Sequence, residues 1–74
     1  MPRIVLDLKG FQCPLPVVRA NKALQSMASG DELEAHVTDR AAPNDFIEYC
    51  QRTGNQMVSC DTGKDCSVIV IRKV

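Results

Sequence analysis

Pro14 and Pro16, two residues apart and directly after a cysteine, constrain this chain more than any other feature in it. Neither is tolerated inside a helix or a central strand, because each lacks a backbone N–H and fixes its own φ. Both fit the first turn of a helix, where N–H groups have no intrahelical partner. The chain is therefore expected to turn at Gly10 and to begin a helix at Pro14, with Cys13 at the cap position.

The flanking patterns agree. From Arg3 to Lys9, Ile4, Leu6 and Leu8 alternate with Val5, Asp7 and Lys9, which predicts a half-buried strand. After the prolines, Val17, Ala20, Leu24 and Met27 form one apolar stripe, with Val18 and Ala28 at its edges. Arg19, Asn21, Lys22, Gln25 and Ser26 fall mostly on the other side, and Gly30 is expected to end this helix. Leu33, Ala35 and Val37 alternate with Glu32, Glu34 and His36 as a second strand. Asp39 to Asp45 reads as a loop and helix start, with the two aspartates as caps or loop formers. Phe46, Ile47 and Cys50 have helical spacing, and Gly54 stops that helix. Gln56 to Cys60 and Cys66 to Arg72 read as strands joined by a hairpin loop, Asp61 to Asp65.

The order β-α-β-α-β-β predicts an α/β fold. It should be a two-layer α/β sandwich in which two helices cover one face of a four-stranded mixed sheet. The first two strands can pair in parallel through a right-handed crossover. The 74 residues allow a single domain, 1–74, with one small core and no deep substrate cavity. Nine Lys+Arg balance nine Asp+Glu, so a basic footprint for direct nucleic-acid binding is absent. Phe11, Phe46 and Tyr49 are the only aromatics, too few for base-stacking platforms. No apolar run approaches the ~18 residues of a membrane span. Met1-Pro2-Arg3-Ile4 does not read as a signal peptide. A cytoplasmic location is expected, and with it reduced cysteines.

Four cysteines then have to be sorted. Cys13, after a strand and a glycine turn at a helix start, is the candidate for chemistry. Helix N-termini favour anions, so its thiol is expected to be acidified, with Lys9 adding positive charge. Pro16 is expected at the surface beside it, fixing a docking face. There is no CxxC pair, which argues against dithiol exchange. Intervals of 37, 10 and 6 residues between cysteines, with His36 alone, lack zinc-ligand spacing, so no metal is expected. Cys50 reads as core. Cys60 and Cys66 flank the hairpin loop, either as half-buried strand residues or as a pair facing across it. A cysteine hydrolase would need a histidine base, an orienting group and a cleft. What remains is a reactive thiol presented to other proteins, with Arg19 and Lys22 on the exposed side of the first helix able to guide a partner.

The run Leu6-Asp7-Leu8-Lys9-Gly10-Phe11-Gln12-Cys13-Pro14-Leu15-Pro16 resembles the signature of the TusA-like, or SirA-like, sulfur carriers. Lys22, Ala23, Leu24, Gly30, Leu33, Asp39, Asp45 and Gly54 resemble later landmarks, so the likeness covers nearly the whole chain. It departs where Arg40 follows Asp39 and the loop proline is Pro43. The resemblance implies the same two-layer fold. It also implies a sulfurtransferase-type carrier that accepts sulfane sulfur as a persulfide on Cys13, supported by Gly10, Pro14 and Pro16, without a cofactor. The implied partners are a donor of the cysteine desulfurase or rhodanese type and an accepting protein, in tRNA thiolation, molybdenum-cofactor synthesis or sulfur oxidation. A monomer is expected. The alternatives are a non-catalytic redox or regulatory module and an accessory of selenium metabolism.

Overall fold

A computed structural model describes residues 3–74. Along the chain lie β1 (Arg3–Leu8), α1 (Leu15–Gln25), β2 (Glu32–Val37), α2 (Ala42–Thr53), β3 (Gln56–Thr62) and β4 (Ser67–Arg72). The strands stand in the order β1-β2-β4-β3. β1 and β2 are parallel, Ile4 opposite Leu33, because a helix carries the chain back between them. β4 is antiparallel to both β2 and β3. This is the mixed sheet with two helices that the sequence predicts.

Period two divides the residues of β2 and β4 between the faces. Leu33, Ala35 and Val37 of β2 and Ile69 and Ile71 of β4 are fully buried beneath the helices. They meet Ala20 and Leu24 of α1 and Phe46 of α2, which are also fully buried. Each large side chain in this layer contributes about 1.5–3 kcal/mol by leaving water. Tyr49 on α2 donates to Asn21 Oδ1 on α1 at 2.8 Å and ties the helices together.

The other face carries charge. Arg3, Glu32 and Arg72 form a row across three strands, with Arg3–Glu32 at 2.7 Å and Arg72–Glu32 at 2.9 Å. Arg3 also meets Glu34, which contacts His36 at 2.6 Å. Hydrogen bonds from Arg3 and Arg72 hold Glu32 below the usual carboxylate range, and hydrogen bonds from His36 foremost and then Arg3 do the same for Glu34.

Three local expectations are corrected. β1 is an edge strand, so Ile4 on its core-facing side remains 42% exposed. α1 ends at Gln25, where the Ser26 hydroxyl donates back to the Ala23 carbonyl. Gly30 instead shapes the following turn, with its N–H on the Lys73 carbonyl. β3 runs on to Thr62, two residues into the stretch read as hairpin loop, and its register shifts between Met57 and Ser59, a bulge.

The two ends of the sheet nearest the loops depend on glycine in different ways. Gly10 has φ +87° and donates its N–H to Thr38 Oγ1 at 2.8 Å, fixing the β1–α1 turn against the end of β2. Gly63 donates to the Cys66 carbonyl at 2.8 Å. A Cβ on Gly63 would stand 2.8 Å from that same oxygen, so the β3–β4 turn closes only around a residue without one.

Candidate functional site

Cys13 is exposed at the turn between β1 and α1. The turn is set by Gly10 and by the Leu15 N–H, which bonds to the Gln12 carbonyl at 2.9 Å. Cys13 is not the cap residue. Pro14 occupies that position, through a cis Cys13–Pro14 peptide, and no side chain caps the helix. The thiol thus sits one residue before the positive end of α1, beyond the place where the orphan N–H groups act most strongly.

Two aspartates from beyond β2 hold the cysteine. The Cys13 N–H donates to Asp39 Oδ2, and the Cys13 thiol donates to Asp45 Oδ2. Asp39 also accepts the Ala41 N–H on Oδ1, so it shapes the loop before α2 as a turn aspartate should. Asp45 does not act as a cap. It lies in the first turn of α2 and directs its carboxylate at the sulfur.

The electrostatic consequence reverses the expectation from sequence. The Cys13 thiol is pushed up from 9.0 to about 11, foremost by its hydrogen bond to Asp45. Desolvation and the charges of Asp45, Asp39 and Glu48 act in the same direction. Acidification by the helix end and Lys9 is overturned: nearby carboxylates outweigh a helix terminus one residue away. At neutral pH the thiol is a proton donor at rest.

The other expected residues are placed as follows. Pro14 lies beside the thiol and lines the same pocket. Pro16 is fully buried, which overturns its expected place on a docking face: its ring anchors the start of α1 in the core. Arg19 lies over the Phe11 ring, 4.7 Å from its centroid, in a cation–π contact. Lys22 is exposed in the last turn of α1. Lys9 is exposed, and its N–H bonds to Asp7 Oδ1 at 3.1 Å.

Between the helices, a pocket of about 230 Å³ opens at Cys13, lined by Pro14, Val17, Asp45, Glu48 and Arg52. It shares Val17, Val18 and Arg52 with a second depression farther along the helices, so the thiol stands at one end of a shallow groove. Among the described residues no group of three or more His, Cys, Asp or Glu could hold a metal ion.

The remaining cysteines are apart. Cys50 is buried in α2, and burial raises its thiol. Cys60 stands opposite Ile69 in the β3–β4 ladder, not opposite Cys66, which lies in the turn before β4. The pairing across the hairpin is therefore not made, and all four cysteines are free.

Comparison with known proteins identifies relatives in sequence and in fold. The family model described as Sulfurtransferase TusA matches residues 4–73. A Neisseria meningitidis protein carrying a sulfur-carrier name is 39% identical over 67 residues, 90% of each chain. The sulfur carrier protein TusA of Allochromatium vinosum is 42% identical over 53 residues, 72% of this chain and 70% of that one. Among solved structures, a SirA-like protein from Desulfitobacterium hafniense has the same fold. Its TM-score is 0.80 at 24% identity, covering 93% of this chain and 95% of that chain. The family match runs from the first strand to the end of the last, and the chain belongs to the TusA sulfurtransferase family.

Proposed function

We propose that this sulfur carrier holds its cargo as a persulfide on Cys13 and passes it between two partner proteins. The observation that carries the reading is the exposed Cys13 thiol, held at its backbone by Asp39 and at its sulfur by Asp45. An exposed thiol at a tight turn is open to two partners in succession.

Loading then follows from the contacts. A donor persulfide, R–S–SH, brings its outer sulfur to Cys13. The Cys13 sulfur bonds to it, the bond between the donor's two sulfurs breaks, and the donor leaves as the thiolate R–S⁻. The Cys13 proton passes to Asp45, which already accepts it as a hydrogen bond. Cys13 is left as Cys13–S–SH. Before a donor arrives, the same contact keeps the thiol protonated and slow toward oxidants, since the thiolate is the reactive form.

The test is to incubate the reduced protein with a cysteine desulfurase and cysteine, or with a rhodanese and thiosulfate, and to weigh it. A gain of one sulfur, located by peptide mapping on Cys13 and absent from Cys13→Ser, is expected. Sulfur on another cysteine, or none at all with both donors, overturns the assignment.

A further inference from the structure

The groove that begins at Cys13 runs on between α1 and α2, beyond the reach of the sulfur. Val17, Val18 and Arg52 border both of its halves, and the farther half, of about 310 Å³, ends at Asn21, Tyr49 and Thr53. Tyr49 and Asn21 are joined by their hydrogen bond, so this end is fixed by the packing of the two helices. Val18 is 55% exposed, the most of any large apolar side chain on either helix. With the half-buried Val17 it makes the α1 wall of the groove apolar.

The α2 wall is charged, and its charges are ordered. Asp45 and Glu48 border only the half that holds the thiol, whereas Arg52 reaches into the half beyond. Glu48 and Arg52, one turn apart and both exposed, form no ion pair among the described residues. From Asp45 to Arg52 is two turns of α2, roughly 10 Å along its axis. An extended chain covers that distance in about three residues. The complement of the groove is thus a short extended segment with a cation at the thiol end, an apolar middle and a carboxylate about three residues on. A second copy of this chain does not supply it, because its own reactive turn has Gln12 and Pro14 beside Cys13, and neither is charged.

We propose that the groove receives the cysteine-bearing segment of the sulfur-donating protein in extended form, with a lysine or arginine beside its cysteine and a carboxylate about three residues beyond. This docking mode rests on the persulfide reading and specifies the donor. The flanking cation is drawn to Asp45 and Glu48, which brings the donor's cysteine against Cys13. The same cation offsets the carboxylates that hold the Cys13 thiol protonated, Asp45 foremost. Docking and release of the thiol are then one event. The bond between the donor's two sulfurs breaks as the bond to Cys13 forms, the donor leaves as its thiolate, and the Cys13 proton passes to Asp45.

Two acetylated peptide amides of one composition test it on the full chain: Cys-Lys-Val-Ala-Glu and the charge-swapped Cys-Glu-Val-Ala-Lys, each supplied as the persulfide of its cysteine. The measurement is the initial rate of sulfur arrival on Cys13 by peptide mass mapping. Each rate is divided by that peptide's rate with N-acetylcysteine, which removes its intrinsic reactivity. At low salt the first peptide should load Cys13 roughly ten-fold faster than the second, the scale of two exposed charge pairs. High salt should shrink the advantage. Arg52→Glu should lower it, and Glu48→Lys combined with Arg52→Glu, both at exposed positions, should abolish it. Equal normalised rates for the two peptides, or a preference unmoved by both variants, overturn the docking mode and leave the persulfide reading standing. Sulfur arriving from the desulfurase or rhodanese but from neither peptide does the same, and sulfur from none of them overturns both.

Discussion

Cys13 and Cys50 are both held protonated, for opposite reasons. At Cys13 the restraint is foremost a hydrogen bond to one carboxylate at the surface, while at Cys50 it is burial in α2. A surface charge can be neutralised or turned aside by a partner's cation during docking. Burial can be lifted only by opening the core. The comparison therefore separates a thiol whose reactivity can be granted on contact from one whose reactivity is permanently withheld.

The largest effect expected is on loading. Cys13→Ser should abolish sulfur acceptance and leave the melting temperature unchanged, because removing an exposed sulfur creates no cavity. A large loss of stability would show that Cys13 belongs to the packing after all.

Next is the restraint itself. Asp45→Asn should bring the thiol back toward 9.0 from about 11, raising its alkylation rate at neutral pH by up to roughly a hundred-fold. Uptake from a donor persulfide should change less, because the proton acceptor is lost with the restraint. Alkylation kinetics against pH would read this directly, and an unchanged profile would remove Asp45 from the site.

On the other side of the comparison, Cys50→Ala should cost about 1–2 kcal/mol of stability through a small cavity and leave loading untouched. Urea unfolding together with mass measurement of sulfur uptake would check both halves.

The smallest effect is expected where surface charge carries no reactive group. Glu32 and Glu34 are held below 4.5, so their contribution is present above that value and is lost as pH falls through their lower folded values. The melting temperature should fall modestly as pH drops below about 4.5, and the fall should shrink in Arg3→Ala. High salt should have the same levelling action.

How much of this was written locally can be seen residue by residue. Leu33, Ala35 and Val37 are legible as a strand because alternation is a property of neighbours, and burial follows it without exception. The strand–glycine–cysteine–proline turn is legible because proline and glycine restrict the backbone by themselves. Asp45 was not, since its contact with Cys13 spans 32 residues and exists only once α2 packs beside the turn. The same holds for Pro16, whose ring is buried by tertiary packing that a first-turn preference does not report. The β3 bulge and the exposure of Ile4 depend on which strands become edges, and strand order is not a local property. The later aspartate was visible as a family landmark, but its action on the sulfur needed the fold.

The strand order has a consequence for how this chain comes into being. β4 comes after the other five elements in sequence, yet it lies inside the sheet between β2 and β3. A nascent chain ending anywhere before Ser67 leaves β2 and β3 without their common neighbour, and Leu33 and Ala35 without Ile71 and Ile69 opposite them. Premature termination or clipping near the C-terminus would be expected to yield an aggregation-prone fragment with an open strand edge, in place of a weakened carrier.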